Sequence, residues 1–295
     1  MSSLIQDLKT TQSTLDGFFD VTLRVLNYLP SVVTEARETR GYRILVSTHA
    51  GTEKYTRPIR LSLFIFDPAE FSRFAKRFEA ILGIASSGRA QPEDAAVVID
   101  RTAYTIQQAM GVGLDLLGES NSSRKHIGNR FEEFIRTVVA AAGIANKKVV
   151  FKIPYLSEDD EKMYSCETDM VLTRGKAVKS RQGRIDENEV VVSLKTSSKD
   201  RMGKIFLDKL LMEKFMGHPV KVIGIFHNDV QRKSEGDIAY TFVSGLFMVY
   251  TQFLCRLEGV YFLDPPPVTE QAPYCEHVAS FSTFLLRDVK ALMAS

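Results

Sequence analysis

Apolar positions over residues 13–37 recur every three or four places, the spacing of one helix face, with Pro30 interrupting the pattern. Residues 42–48 and 59–66 are short runs rich in β-branched and aromatic side chains, which predict two strands joined by a polar turn. Asp67 followed by Pro68 opens another helix, because the carboxylate can cap free N–H groups and proline already has the φ of a first helical position. The stretch 86–92, rich in Ser, Gly and Pro, reads as a connection, and a further helix over 92–117 stops at Gly118. A polar break at 119–123 sets this mainly helical region, residues 1–121, apart from residues 122–295.

Beyond the break the period changes. The pattern predicts a helix over 125–142, strands over 148–155, 167–173 and 189–195, a helix over 201–217 and a strand over 220–227. That order implies an α/β fold, a mixed β-sheet flanked by helices, in which the strand after the crossover helix runs parallel to the one before it. Residues 238–255 carry no charge. Phe242, Leu246, Phe247, Tyr250, Phe253 and Leu257 share one face, however, and Thr241, Ser244, Thr251 and Gln252 another, so a core or subunit-interface helix over 238–257 is expected rather than a membrane span.

With 295 residues, 44% of them hydrophobic, the chain can bury a substantial core. Its 38 basic and 36 acidic side chains leave a net charge of +2, so affinity for a polyanion has to come from local clustering. Three cysteines without a Cys-x-x-Cys pair argue against a disulfide framework or a zinc ribbon, and the polar first residues predict a cytoplasmic protein. The five histidines have no ligand spacing, and dinucleotide loops, phosphate loops and nucleophile elbows are missing, which disfavours a metabolic enzyme.

Two strand ends carry chemistry. The apolar strand 189–195 ends in Lys195, with Ser193 on the same side because alternate residues share a face. The strand before it begins with Asp169 at the edge of another apolar run. A carboxylate that holds a hard cation, next to an ammonium that orients water or offsets negative charge, is what metal-assisted phosphodiester hydrolysis requires. One carboxylate is a poor magnesium site, so a second acid is needed. Glu132 borders the apolar stripe Ile127, Phe131, Phe134, Ile135 and Val138. Asp208 falls among Ile205, Leu211, Met212 and Phe215 in helical projection, with an ion pair to Lys204 as its ordinary alternative, and Glu213 stands beside Lys209. Ser193 has no nearby histidine to activate it, so it is expected as a small polar group rather than a nucleophile.

The segment from Ser193 to Arg201, preceded by Asp169 and the Glu132 helix, resembles type II restriction endonucleases of the PD-(D/E)XK superfamily over about residues 125–230. It is most similar to the subgroup cutting CCGG, or CC and GG half-sites around a central base. There serine can replace the acid before x-Lys, and the missing carboxylate comes from the following helix. Thirteen residues on from Lys195 stands Asp208, where the family more often has glutamate, and Glu213 stays as the alternative. The resemblance implies Mg2+ held by Asp169, Asp208 and Glu132, catalysis by these with Lys195 and Ser193, and base reading by Lys199, Asp200 and Arg201, whose groups match guanine and cytosine edges. Arg174, Lys176, Lys179, Arg181 and Arg184, a stretch without an acid, would follow the phosphate backbone. Also implied are double-stranded DNA as substrate, a homodimer that in some members pairs into a tetramer, no membrane, and a cognate DNA methyltransferase sharing the site without a stable complex. Two other readings keep the fold: a structure-directed repair or junction nuclease, and a DNA-binding module without chemistry.

Overall fold

The structure, a computed structural model, describes residues 3–293 except 50, 88, 119, 158–159, 200 and 234–235. The chain opens with α1 (Leu4–Lys9) and α2 (Leu15–Val32), the latter capped by Thr14, whose hydroxyl accepts from the Gly17 N–H. The expected helix over 13–37 therefore stops at Val32, two residues past Pro30. Residues 35–39 instead form β1 (Glu35–Thr39), which pairs antiparallel with β2 (Tyr42–His49) across a turn at Arg40 and Gly41, both with positive φ. Short-range helical spacing lost to a tight hairpin that satisfies the same backbone groups. β3 (Thr52–Tyr55) and β4 (Ile59–Arg60) complete this small antiparallel sheet, and the strand expected over 59–66 shrinks to its first two residues.

Asp67 and Pro68 act as expected. Asp67 Oδ1 accepts from the Glu70 N–H at 2.6 Å, and α3 (Pro68–Ser87) begins there. α4 (Ala95–Leu117) is buried along nearly its whole second half, because α1, α2, α3 and α5 (Ser120–Ala141) pack around it.

Next come β5 (Ala145–Lys147), β6 (Val150–Ser157), β7 (Asp160–Glu167), β8 (Met170–Thr173), β9 (Val190–Ser197), α6 (Met202–Met216), β10 (Lys221–Asn228), β11 (Val230–Arg232), β12 (Ile238–Tyr240), α7 (Ser244–Phe253), β13 (Gly259–Phe262) and β14 (Val278–Ser280). Among the described residues the main sheet has the order β14-β13-β10-β9-β8-β5. β8 runs antiparallel to both its neighbours, β5 and β9, and β9, β10, β13 and β14 are parallel, so the sheet is mixed as expected and β10 parallels β9 after the α6 crossover. Met170, Leu172, Val190, Val192, Leu194, Ile223 and Ile225 face α1–α5, in one apolar core that includes residues on both sides of position 121. The alternate residues Val171, Val191, Val222 and Phe226 face α6 and α7.

Two elements differ from expectation. The strand at 148–155 does not join the main sheet; as β6 it pairs residue for residue with β7 in a separate ribbon. The helix expected over 238–257 begins only at Ser244, because Ile238–Tyr240 pairs antiparallel with Val230–Arg232. No helix among the described residues is long and apolar enough to cross a membrane.

A buried polar seam joins the small sheet to the main one. Tyr42 Oη donates to Asp264 Oδ2 at 2.8 Å, and Arg60 Nη1 donates to Tyr42 Oη at 3.1 Å. Beneath it, the His227 ring lies 5.4 Å from that of Tyr104, and Asp229, just past the end of β10, is buried too. Burial pushes the Asp264 carboxyl up to about 7, that of Asp229 up to about 6, and the His227 imidazole down to about 3.

Candidate active site

The corner between the β6–β7 ribbon and the main sheet positions Asp169. Thr168 is buried there, and its hydroxyl donates to the Val149 carbonyl at 2.9 Å, which fixes where the chain leaves the ribbon. β8 then pairs with β9 in a register that sets Met170 opposite Val192, so Asp169 falls one step further along, opposite Ser193.

Three donors converge on one oxygen of that carboxylate. Asp169 Oδ2 accepts from Lys195 Nζ at 2.5 Å, from the Leu194 backbone N–H at 2.7 Å and from Ser193 Oγ at 3.4 Å. Lys195 Nζ also donates to the Leu194 carbonyl at 3.0 Å. Both side chains are mostly buried, Lys195 at 22% and Asp169 at 18% exposure, so the pair is shielded yet reachable from solvent. Asp169 Oδ1 accepts no hydrogen bond among the described residues.

Glu132, on the α5 face packed against β9, is the acid that comes to this pair. Burial raises its carboxyl pKa, and the negative charge of Asp169 raises it further, while Lys148, Lys195 and Arg136 oppose the shift. Its carboxyl makes no hydrogen bond or ion pair among the described residues. Two adjacent carboxyl groups with uncommitted oxygens are hard ligands that suit a divalent cation such as magnesium, whose charge would relieve their repulsion. These two carboxyl groups are ligands of the kind such a metal takes. No group of three or more acidic, histidine or cysteine side chains among the described residues is placed to hold a metal ion.

The other two acids have partners elsewhere. Lys204 Nζ donates to both oxygens of Asp208, at 2.6 and 2.7 Å, and the Asp208 charge acts on the Cys166 thiol, whose pKa is raised first by burial and then by Asp208. Glu213 accepts from the Val220 N–H at 3.1 Å, across the turn where Gly217 at φ +73° ends α6. It thereby serves the entry into β10.

The residues expected to touch DNA leave the β8–β9 pair at its two opposite ends, since Asp169 lies past the Met170–Val192 pair and the β8–β9 connection begins past the Leu172–Val190 pair. Lys199 and Arg201 are exposed between the end of β9 and the start of α6; Asp200 lies outside the described residues. Arg174, Lys176, Lys179, Arg181 and Arg184 are all exposed on the connection from β8 to β9, and none forms an ion pair among the described residues. That connection is pinned by an acid which sequence reasoning passed over. Glu189 is buried, and its carboxylate accepts from the backbone N–H groups of Lys179 and Ser180 at 2.6 and 2.9 Å. An acid opening an otherwise apolar strand was the available signal.

No protein-family model and no curated protein matches the chain. Among solved structures, the type IIP restriction endonuclease Kpn2I aligns with a TM-score of 0.69 and 16% identity, over 94% of this chain and 91% of that one. The fold is that of a type II restriction endonuclease. The complex of restriction endonuclease PspGI with substrate DNA aligns over 76% of this chain and 92% of that one, at a TM-score of 0.44 and 10% identity. On the restriction-endonuclease fold, Asp169 and Lys195 occupy adjoining ends of β8 and β9, with the Glu132 helix behind them.

Proposed function

We propose that the protein is a magnesium-dependent, sequence-specific endonuclease that hydrolyses phosphodiester bonds in double-stranded DNA, a type II restriction enzyme. The observation that carries this reading is the contact of Lys195 with Asp169, beside the carboxyl of Glu132, on a restriction-endonuclease fold.

Asp169 and Glu132 would hold the metal, with Asp208, which pairs with Lys204 in this structure, as the third acid the metal would have to draw in. Bound magnesium supplies a Lewis acid that lowers the pKa of water and offsets charge on the phosphate. Asp169 fixes the ammonium of Lys195 through Oδ2, and Lys195 orients the attacking water or stabilises the charge developing on a phosphate oxygen. Ser193 helps hold Asp169 in place through its hydroxyl. Partial burial keeps these charges strong by limiting solvent screening.

Sequence choice belongs to Lys199, Asp200 and Arg201, with a site built on CCGG or on CC and GG half-sites. Two basic residues donate to guanine O6 and N7, and an aspartate accepts from the cytosine amino group. Arg174, Lys176, Lys179, Arg181 and Arg184 follow the phosphates, so affinity falls with salt. Cutting both strands of a symmetric site is met by a homodimer, two of which can pair into a tetramer, and a DNA methyltransferase of the same specificity would protect the host site.

The test compares wild-type protein with Lys195→Ala on duplex DNA, with magnesium and with excess chelator. Cleavage that needs both magnesium and Lys195 supports the reading. Cleavage indifferent to Lys195 or to the chelator contradicts it.

A further inference from the structure

β9 and β10 leave the sheet side by side, with Ser197 paired to Asn228. From there one chain continues into Ser198 and Lys199 and the other into the β11–β12 hairpin. Two hydrogen bonds of Ser198 staple the two together, and a third braces the hairpin itself. The Ser198 N–H donates to the Asn228 carbonyl at 3.3 Å. Thr241, just past β12, donates its hydroxyl to the Asp229 carbonyl at 2.7 Å, which leaves the Thr241 oxygen to accept from the buried Ser198 hydroxyl at 3.1 Å. The hairpin is thereby held in a fixed register against the segment that carries Lys199.

The staple brings Gln231 of the hairpin to Lys199, whose Nζ donates to Gln231 Oε1 at 3.4 Å. An ammonium can only donate, so the amide oxygen must be the atom facing it, and the amide nitrogen is turned outward. Both residues line an open cavity of about 500 Å³ together with Arg232, Lys233 and Tyr240, at the sheet edge past Lys195. What the pair presents to that cavity is mainly donors, two remaining ammonium hydrogens and the amide NH2, because Lys199 takes up one of the two lone pairs of Gln231 Oε1.

Of the four bases, guanine shows two adjacent acceptors in the major groove, N7 and O6, whereas adenine and cytosine each present an amino donor that would oppose such a surface. Accordingly we propose that Gln231 is a specificity residue which, locked by Lys199, reads guanine jointly with it, while Ser198 and Thr241 act as positioning residues. The assignment rests on the nuclease reading above, and it adds the β11–β12 hairpin to the recognition surface.

The experiment measures cleavage rates on duplexes in which each position of the mapped wild-type site is varied in turn. Gln231→Ala is expected to lose about 10- to 100-fold of discrimination at one G·C pair of each half-site and to keep it elsewhere. Gln231→Glu, which replaces the outward donor by an acceptor, is expected to shift preference at that same pair away from guanine. Variants that cut and retain full wild-type discrimination at every position overturn the assignment. A wild-type protein that cuts no duplex removes the nuclease reading itself, an outcome the variants do not share in causing.

Discussion

The ammonium of Lys195 reaches the same oxygen of Asp169 that already accepts the Leu194 backbone N–H, at 2.5 and 2.7 Å. The backbone bond orients the carboxylate whether or not the lysine is present. Lys195→Ala should therefore fold and still bind DNA, while its cleavage rate drops about 100- to 1,000-fold, the usual cost of removing one charge-stabilising donor. Single-turnover cleavage alongside a gel-shift measurement separates the two effects; loss of binding equal to the loss of cleavage would contradict the assigned role.

Glu132 predicts a pH dependence. Its carboxyl titrates above the usual value because it is buried and because Asp169 repels its charge. A proton there competes with a divalent cation, so the magnesium concentration giving half-maximal cleavage should fall as pH rises from about 5 towards neutrality. Glu132→Gln should weaken magnesium binding and flatten that dependence. Titrations at several pH values check it, and a wild-type requirement independent of pH would speak against Glu132 as a ligand.

The three acids should rank. Glu132 stands beside Asp169, Asp208 is engaged by Lys204, and Glu213 supports the start of β10. Glu132→Gln should lower cleavage more than Asp208→Ala. Glu213→Ala should leave the buried Val220 N–H without its acceptor and cost about 1–3 kcal/mol of stability, with turnover at low temperature nearly kept. Denaturant melts paired with rates give the order.

Asp264 makes folding stability depend on pH. In the folded chain its carboxyl titrates near 7, raised by burial from the ordinary 3.8. The folded state thus keeps a proton that the unfolded chain has already lost, and the stabilisation it brings is complete below about pH 4 and disappears as pH rises through 7. Tm should decline between pH 5 and pH 8 in the wild type and decline less in Asp264→Asn, as measured by thermal melts in matched buffers.

α7 leaves Leu246, Val249 and Phe253 exposed on one side, the last at 78%. If this face meets a second copy in the proposed homodimer, Phe253→Glu should shift sedimentation from dimer towards monomer. An unchanged dimer places the interface elsewhere.

Much of the site was legible because it rests on period and local chemistry. The two-residue alternation of 189–195 put Ser193 and Lys195 on one side, and the stripe on α5 pointed Glu132 inward. What failed depended on which segments pair, which composition and period do not announce even for neighbours in the chain. The uncharged run at 238–255 looked helical throughout because nothing local reveals that Ile238–Tyr240 pairs with Val230–Arg232. The ribbon strand at 150–157 carried the same composition as a sheet strand, and only its partner at 160–167 distinguishes the two. The Tyr42–Asp264 bond joins residues 222 positions apart, which no sequence window spans. Asp208 shows the limit of projection onto a helix: its angular position suggested burial, whereas Lys204, one turn earlier, holds it at the surface.

The most direct measurement is electrophoresis of unmethylated phage DNA after incubation with the purified protein and magnesium. The account predicts a set of discrete fragments, absent with excess chelator and absent with Lys195→Ala, whose mapped ends share one short symmetric sequence. Intact DNA, or a smear with no common sequence at the ends, would contradict it.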